Sequence, residues 1–142
     1  TSEQILTSNG AGVDPTFQTN KTWKVISATR VSDAATGNVS YAHGLGKTPL
    51  SITLYGNGGS GTATTNGGWS TGFWDASGQS CAFFASSGGN WSTSTSATEA
   101  IVVEYGTSTR RGIVGNVGAT TFDIVWTDVD NGGSAFFTWK CS

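Results

Sequence analysis

His43 is the one histidine of the chain, set in HGLGKTP, a loop with two glycines and a proline. On a threefold axis, such an imidazole would make a three-histidine site for zinc or nickel. The plainer reading, carried forward here, is a ring that caps the glycine loop by hydrogen bonds to backbone. Asp128, Asp130 and Asn131 in TDVDNGG begin like a calcium loop. Gly132 stands where a third oxygen ligand belongs, however, and no Glu follows at the required distance. A β-turn accounts for them, and no metal or other cofactor is expected. Ser-His-Asp chemistry would have to use His43, which has a structural explanation. A glycosidase needs two carboxylates facing one substrate. Glu99, Glu104, Asp123 and Asp75 are available, but no spacing singles out a pair, and no enzymatic activity is expected.

Aromatic residues beside polar loops offer a different chemistry. Rings stack on the apolar faces of sugars, and amides or carboxylates beside them hydrogen-bond the hydroxyls. Trp69, Phe73, Trp74 and Trp91 lie in or next to Gly- and Ser-rich stretches. Strand alternation divides them, with Trp69 and Phe73 expected in the core and Trp74 and Trp91 expected outside. The candidate ligand-binding set is therefore Trp74 and Trp91 with Asp75, Gln79, Asn66 and Asn90, carried by loops 56–68, 75–80 and 86–98. Arg110 and Arg111 are expected as solvated partners of Glu104 or Asp123 across strands, or as contacts to an acidic glycan.

The elements that must hold these residues read as short strands. Asn38 to Gly56 organises the rest. Val39 and Tyr41 alternate with Ser40 and Ala42, then Gly44, Gly46 and Pro49 constrain the backbone. Leu50, Ile52 and Leu54 follow on one face, with Ser51, Thr53 and Tyr55 on the other. WSTGFW and CAFFA flank DASGQ as a hairpin. Further core sets are Ile101, Val103 and Tyr105; Phe122, Ile124 and Trp126; and Phe137, Trp139 and Cys141. Roughly nine strands with turn signals every ~8–12 residues predict an antiparallel all-β sandwich, jelly-roll-like. Residues 1–22 show no period of 2 or 3.6 and read as an extended connector to a domain over 23–142.

Composition sets the class. Charged residues are 11% of the 142, well under the ~25% of an average globular domain. Ser, Thr, Asn and 21 Gly take their place, a mixture poor for helices and suited to glycine turns between strands. A net charge of −2 with no basic cluster beyond Arg110-Arg111 offers nucleic acid no electrostatic site. No apolar run approaches the ~18 residues of a membrane helix, so no membrane insertion is expected. Cys81 and Cys141, each among apolar residues, suit two buried thiols, with one disulfide as the alternative. The sequons at Asn20, Asn38 and Asn90 are what chance gives in a chain this rich in Ser and Thr. A start at Thr1 is expected of a processed product or a piece of a longer chain.

SYAHGLGKTP, then GFWDASGQSC, then GIVGNVGATTFDIVW with a C-terminal aromatic strand, resembles the C-terminal domain of bacteriophage tail fibres and other virion appendages. EQILTSNGAGVDPTFQ resembles the connector ahead of such heads. The resemblance implies a homotrimeric β-sandwich knob on the virion, with residues 1–22 about the threefold axis and other virion proteins on the N-terminal side. It implies attachment to a host-surface receptor, and sugar-stacking rings would make a polysaccharide one such receptor. The alternatives are a structural or decoration protein of the particle, and a secreted carbohydrate-binding module.

Overall fold

The computed structural model describes residues 4–7, 12, 16–19, 24–30, 36–58, 67–105, 108–129 and 135–142, with side chains described over 26–28, 36–58, 67–86, 88–104, 108–127 and 136–142. Every regular element among them is a strand, twelve against the nine expected. They are β1 (Gln4–Thr7), β2 (Thr16–Thr19), β3 (Lys24–Arg30), β4 (Gly37–Ala42), β5 (Ser51–Gly58), β6 (Gly67–Asp75), β7 (Gly78–Ser87), β8 (Asn90–Ser96), β9 (Ile101–Tyr105), β10 (Ser108–Val117), β11 (Thr121–Val129) and β12 (Ala135–Cys141). A six-stranded sheet in the order β3-β12-β5-β6-β7-β8 packs on a four-stranded sheet, β4-β11-β10-β9, and every pairing is antiparallel. The nesting of β3 with β12 and of β4 with β11 is the jelly-roll feature; the inner strands run as meanders. Within 1–22, read as an aperiodic connector, β1 and β2 pair as a separate two-stranded sheet.

Alternation places the core largely as expected. Phe122, Ile124 and Trp126 of β11 face Ile52 and Leu54 of β5 and Phe137, Trp139 and Cys141 of β12, all buried. Tyr41 from β4 completes an aromatic cluster, its ring 5.2 Å from both Phe137 and Trp139, and its hydroxyl accepts from Trp126 Nε1 at 3.0 Å. Leu50, expected beside Ile52 and Leu54, is instead 84% exposed. It precedes β5, where Leu50 N–H donates to Ser142 O at 2.7 Å, and the pleat has not begun. Tyr105's side chain and the turn at 130–133 lie outside the described residues.

The HGLGKTP loop seats its own histidine. His43 is fully buried; Nε2 donates to Gly118 O at 3.0 Å and Nδ1 accepts from Leu45 N–H at 3.3 Å. Both ring nitrogens are spoken for by backbone, which fixes the neutral tautomer and bears out the capping role. Gly44 and Gly46 stand at φ 65° and 73°, a region that disfavours side chains. Through His43 N–H to Thr120 O, 3.0 Å, the loop also holds the β10–β11 turn.

How β9 meets β6 determines which face of the large sheet is free. The inward side of β6 is Gly68, Ser70 and Gly72, and the free edge of β9 lies directly on it. A Cβ at Gly68 would stand 1.9 Å from Glu104 O, and one at Gly72 1.7 Å from Ala100 O. Between them Ser70 Oγ accepts from Val102 N–H at 3.3 Å, so an edge group of one sheet is satisfied by the face of the other. Ser70→Ala leaves that buried donor without its acceptor, and we expect a loss of about 1–3 kcal/mol in urea unfolding. A Ser70→Ala midpoint equal to the parent's would show that the bond carries no weight. Because the small residues occupy the inside, Trp69 and Phe73 face outward, the reverse of the sequence expectation.

Cys81 and Cys141 are both buried free thiols. They sit on β7 and β12 with β5 and β6 between, roughly 14 Å apart at ordinary strand spacing, too far to bridge. Burial pushes the Cys141 thiol up to about 11 from 9.0. The folded chain therefore holds this proton more tightly than the unfolded chain does. Its contribution is complete below pH 9.0 and is lost as pH rises to about 11. Urea midpoints across this window should fall less steeply for Cys141→Ala than for the parent; equal slopes would contradict the assignment.

Candidate binding face

With β9 covering the inner side of β6, the outer side of the six-stranded sheet carries rings in register. One row runs Phe136, Asn57, Trp69, Phe84 across β12, β5, β6 and β7. The next runs Thr138, Tyr55, Thr71, Ala82, and a third Lys140, Thr53, Phe73, Ser80. Trp69 is 40% and Phe136 47% exposed, and Tyr55 and Phe73 are also exposed. Trp69 and Phe84 lie 5.7 Å apart between ring centres and Phe84 and Trp91 5.5 Å, a ladder that ends on the edge strand. Two open grooves mark the face. One of about 380 Å³ lies among Tyr55, Asn57, Trp69, Phe136 and Thr138. The other, about 490 Å³, surrounds Phe73 with Thr53, Thr71, Ser80 and Thr95.

The residues singled out from sequence are not gathered by the fold. Trp74 is half-buried and packs against the core, so its expected exposure is corrected. Asp75 Oδ1 accepts from Ser77 N–H at 2.8 Å, Ser77 Oγ at 2.6 Å and Gly78 N–H at 3.1 Å. Those bonds, the Ser77 hydroxyl first, hold its pKa below the usual carboxylate range and close the DASGQ hairpin as expected. Gln79 Oε1 accepts from Val114 N–H at 2.8 Å, clasping β7 to β10 across the sandwich. Asn90 and Trp91 begin β8 and are exposed, Trp91 at 67%. They lie at the far end of β7 from Gln79, roughly 25 Å away at strand rise. Asn66 lies outside the described residues.

The candidate loops shrink likewise. Of 86–98, residues 90–96 form β8, with the turn at 88–89; of 75–80, only 76–77 form a turn. Of 56–68, residues 59–66 lie outside the described residues. Tyr55, Asn57, Phe84 and Phe136 were not singled out from sequence. Their signal was parity: Tyr55, Asn57 and Phe136 share strand faces with Thr or Ser, opposite buried residues, and Phe84 pairs with Trp69 on the same face.

The acidic residues among the described side chains are engaged elsewhere. Arg111 holds Glu99 at 3.1 Å and reaches Glu104 at 3.7 Å, a partly exposed network worth at most about 1 kcal/mol per pair. Arg110 is buried rather than solvated as expected. Asp123 accepts from Ser40 Oγ and from Asn116 Nδ2 at 3.0 Å, bonds that lower its pKa, and not from an arginine. What this surface offers chemically is flat apolar area with interleaved hydroxyl and amide groups. In comparisons with known proteins, no family model, no curated protein and no solved structure matches this chain.

Proposed function

We propose that the chain is the non-enzymatic tip of a bacteriophage tail fibre or related virion appendage, a homotrimer that attaches to a bacterial surface glycan. One observation carries the adhesive part: solvent-facing rings on one side of three adjacent strands, with Asn and Thr between them. Rings fixed on strands lose little freedom when a ligand arrives, which favours adhesion over a flexible-loop site. Engagement of Asp75, Asp123, Glu99 and Glu104 in local bonds and ion pairs agrees with binding without turnover. The virion assignment rests on the motif resemblance and the trimer on what that resemblance implies. Modest affinity per site would be raised by three copies acting together.

A fluorescent copy of the chain, applied to a panel of bacterial strains and to their purified surface polysaccharides, tests this. Labelling of some strains, competed by their own polysaccharide, with a threefold protomer mass by light scattering, is the expected result. Unlabelled cells across a broad panel would favour a structural role in the particle. A lone protomer that binds polysaccharide would favour a secreted carbohydrate-binding module.

A further inference from the structure

We infer that the groove around Asn57 is the principal sugar subsite and that its ligand is an uncharged glycan several units long; this rests on the adhesive reading above. Asn57 lies between Phe136 on β12 and Trp69 on β6, one strand spacing of about 4.8 Å to each side. Tyr55 stands two residues along the same strand and completes the wall. Rings on three sides cover the C–H faces of a pyranose, while the Asn57 amide offers an acceptor and two donors to its hydroxyls. Thr138 and Ser27 add hydroxyls at the margin.

Charge decides the ligand class. Among the described residues, neither groove is lined by a group charged at neutral pH. Lys140 stands on this face but in neither lining, and Arg110 and Arg111 belong to the other sheet. A uronate or sialate seated there would surrender hydration with no cation among the described lining residues to replace it. The chain's net charge of −2 adds repulsion at longer range. A second copy of the chain fits less well, because Thr, Ser and Asn interrupt the rings in each row, whereas interfaces between permanent partners have more apolar cores. Length follows from the second groove. Trp69 and Phe73 are four residues apart on one face of β6, roughly 13 Å, so one extended chain can lie in both grooves.

Calorimetric titration of the intact chain with uncharged and with acidic oligosaccharides of increasing length is the test. Uncharged oligomers should bind, more tightly with length and without dependence on salt. Asn57→Ala should weaken binding about tenfold or more at an unchanged unfolding midpoint, while Ile113→Ala on the opposite sheet changes nothing. Preference for acidic oligomers, with affinity lost in salt, would overturn the ligand class and leave adhesion standing. Full binding by Asn57→Ala would overturn the subsite. Self-association relieved by Tyr55→Ala, without glycan binding, would assign the face to contact between copies. Failure to bind any cell or glycan would remove the adhesive reading itself, and this inference with it.

Discussion

Gly72→Ala should prevent the sandwich from closing, the largest stability effect expected of a methyl group added at any described glycine. The added Cβ would lie 1.7 Å from Ala100 O, 2.7 Å from its carbonyl carbon and 3.1 Å from Cys81 Cβ. A side chain can rotate out of such a clash; a strand backbone cannot. Relief requires β9 to lift from β6, which breaks the Val102–Ser70 hydrogen bond and withdraws Ile101 and Val103 from the core. The cost lies beyond the usual ~1–3 kcal/mol of overpacking, against a total stability on the order of 5–15 kcal/mol. Backbone preference is not the cause, since Gly72 is not among the positive-φ glycines. Gly78→Ala is the control: a Cβ there meets nothing within 4 Å, and its effect should be near zero. Near-UV circular dichroism and urea unfolding measure both. A Gly72→Ala protein with the parent's midpoint would show that β9 does not sit on β6 as described.

Trp69→Ala should cost about thirtyfold or more in affinity for the surface glycan, the range of a central aromatic anchor. Trp69 lies in the row beside Asn57, walls the first groove and meets Phe84 in the ladder, so truncation opens the groove. Stability should fall far less, by about 0.5–1.5 kcal/mol for the lost ring pair, because the residue is outside the core. The separation of the two effects is the informative part. Binding curves and unfolding curves on one preparation supply it. Unchanged binding with a collapsed midpoint would mean that Trp69 is a structural residue after all.

Much of the core was readable from alternation because it is local. Phe122, Ile124 and Trp126 are two residues apart on a buried strand, and any sheet that buries one buries the others. The face of β6 was not local. Its two sides read Gly-Ser-Gly and Trp-Thr-Phe, and ring hydrophobicity assigned the second to the core. What reversed it was β9, which crosses close enough to exclude every Cβ at Gly68 and Gly72. Glycines at alternate positions were the available signal. β8 was missed because an edge strand wet on both sides, NWSTSTS, has no hydrophobic period to detect. Asp75 was legible as a turn former in DASG; its use as a sugar ligand conflicts with bonds the turn already needs. Gln79 bonds a backbone N–H on the other sheet, and no local pattern reports that.

The central claim is that a sheet face, and not a cluster of loops, does the adhering. Backbone amide NMR shifts, recorded as an oligosaccharide from a labelled strain is added to the intact chain, test it most directly. Shifts should concentrate at 55–57, 69–73 and 136–138, on three adjacent strands of one face. Shifts confined to the turns at 76–77 and 88–89, or to the four-stranded sheet, would contradict it.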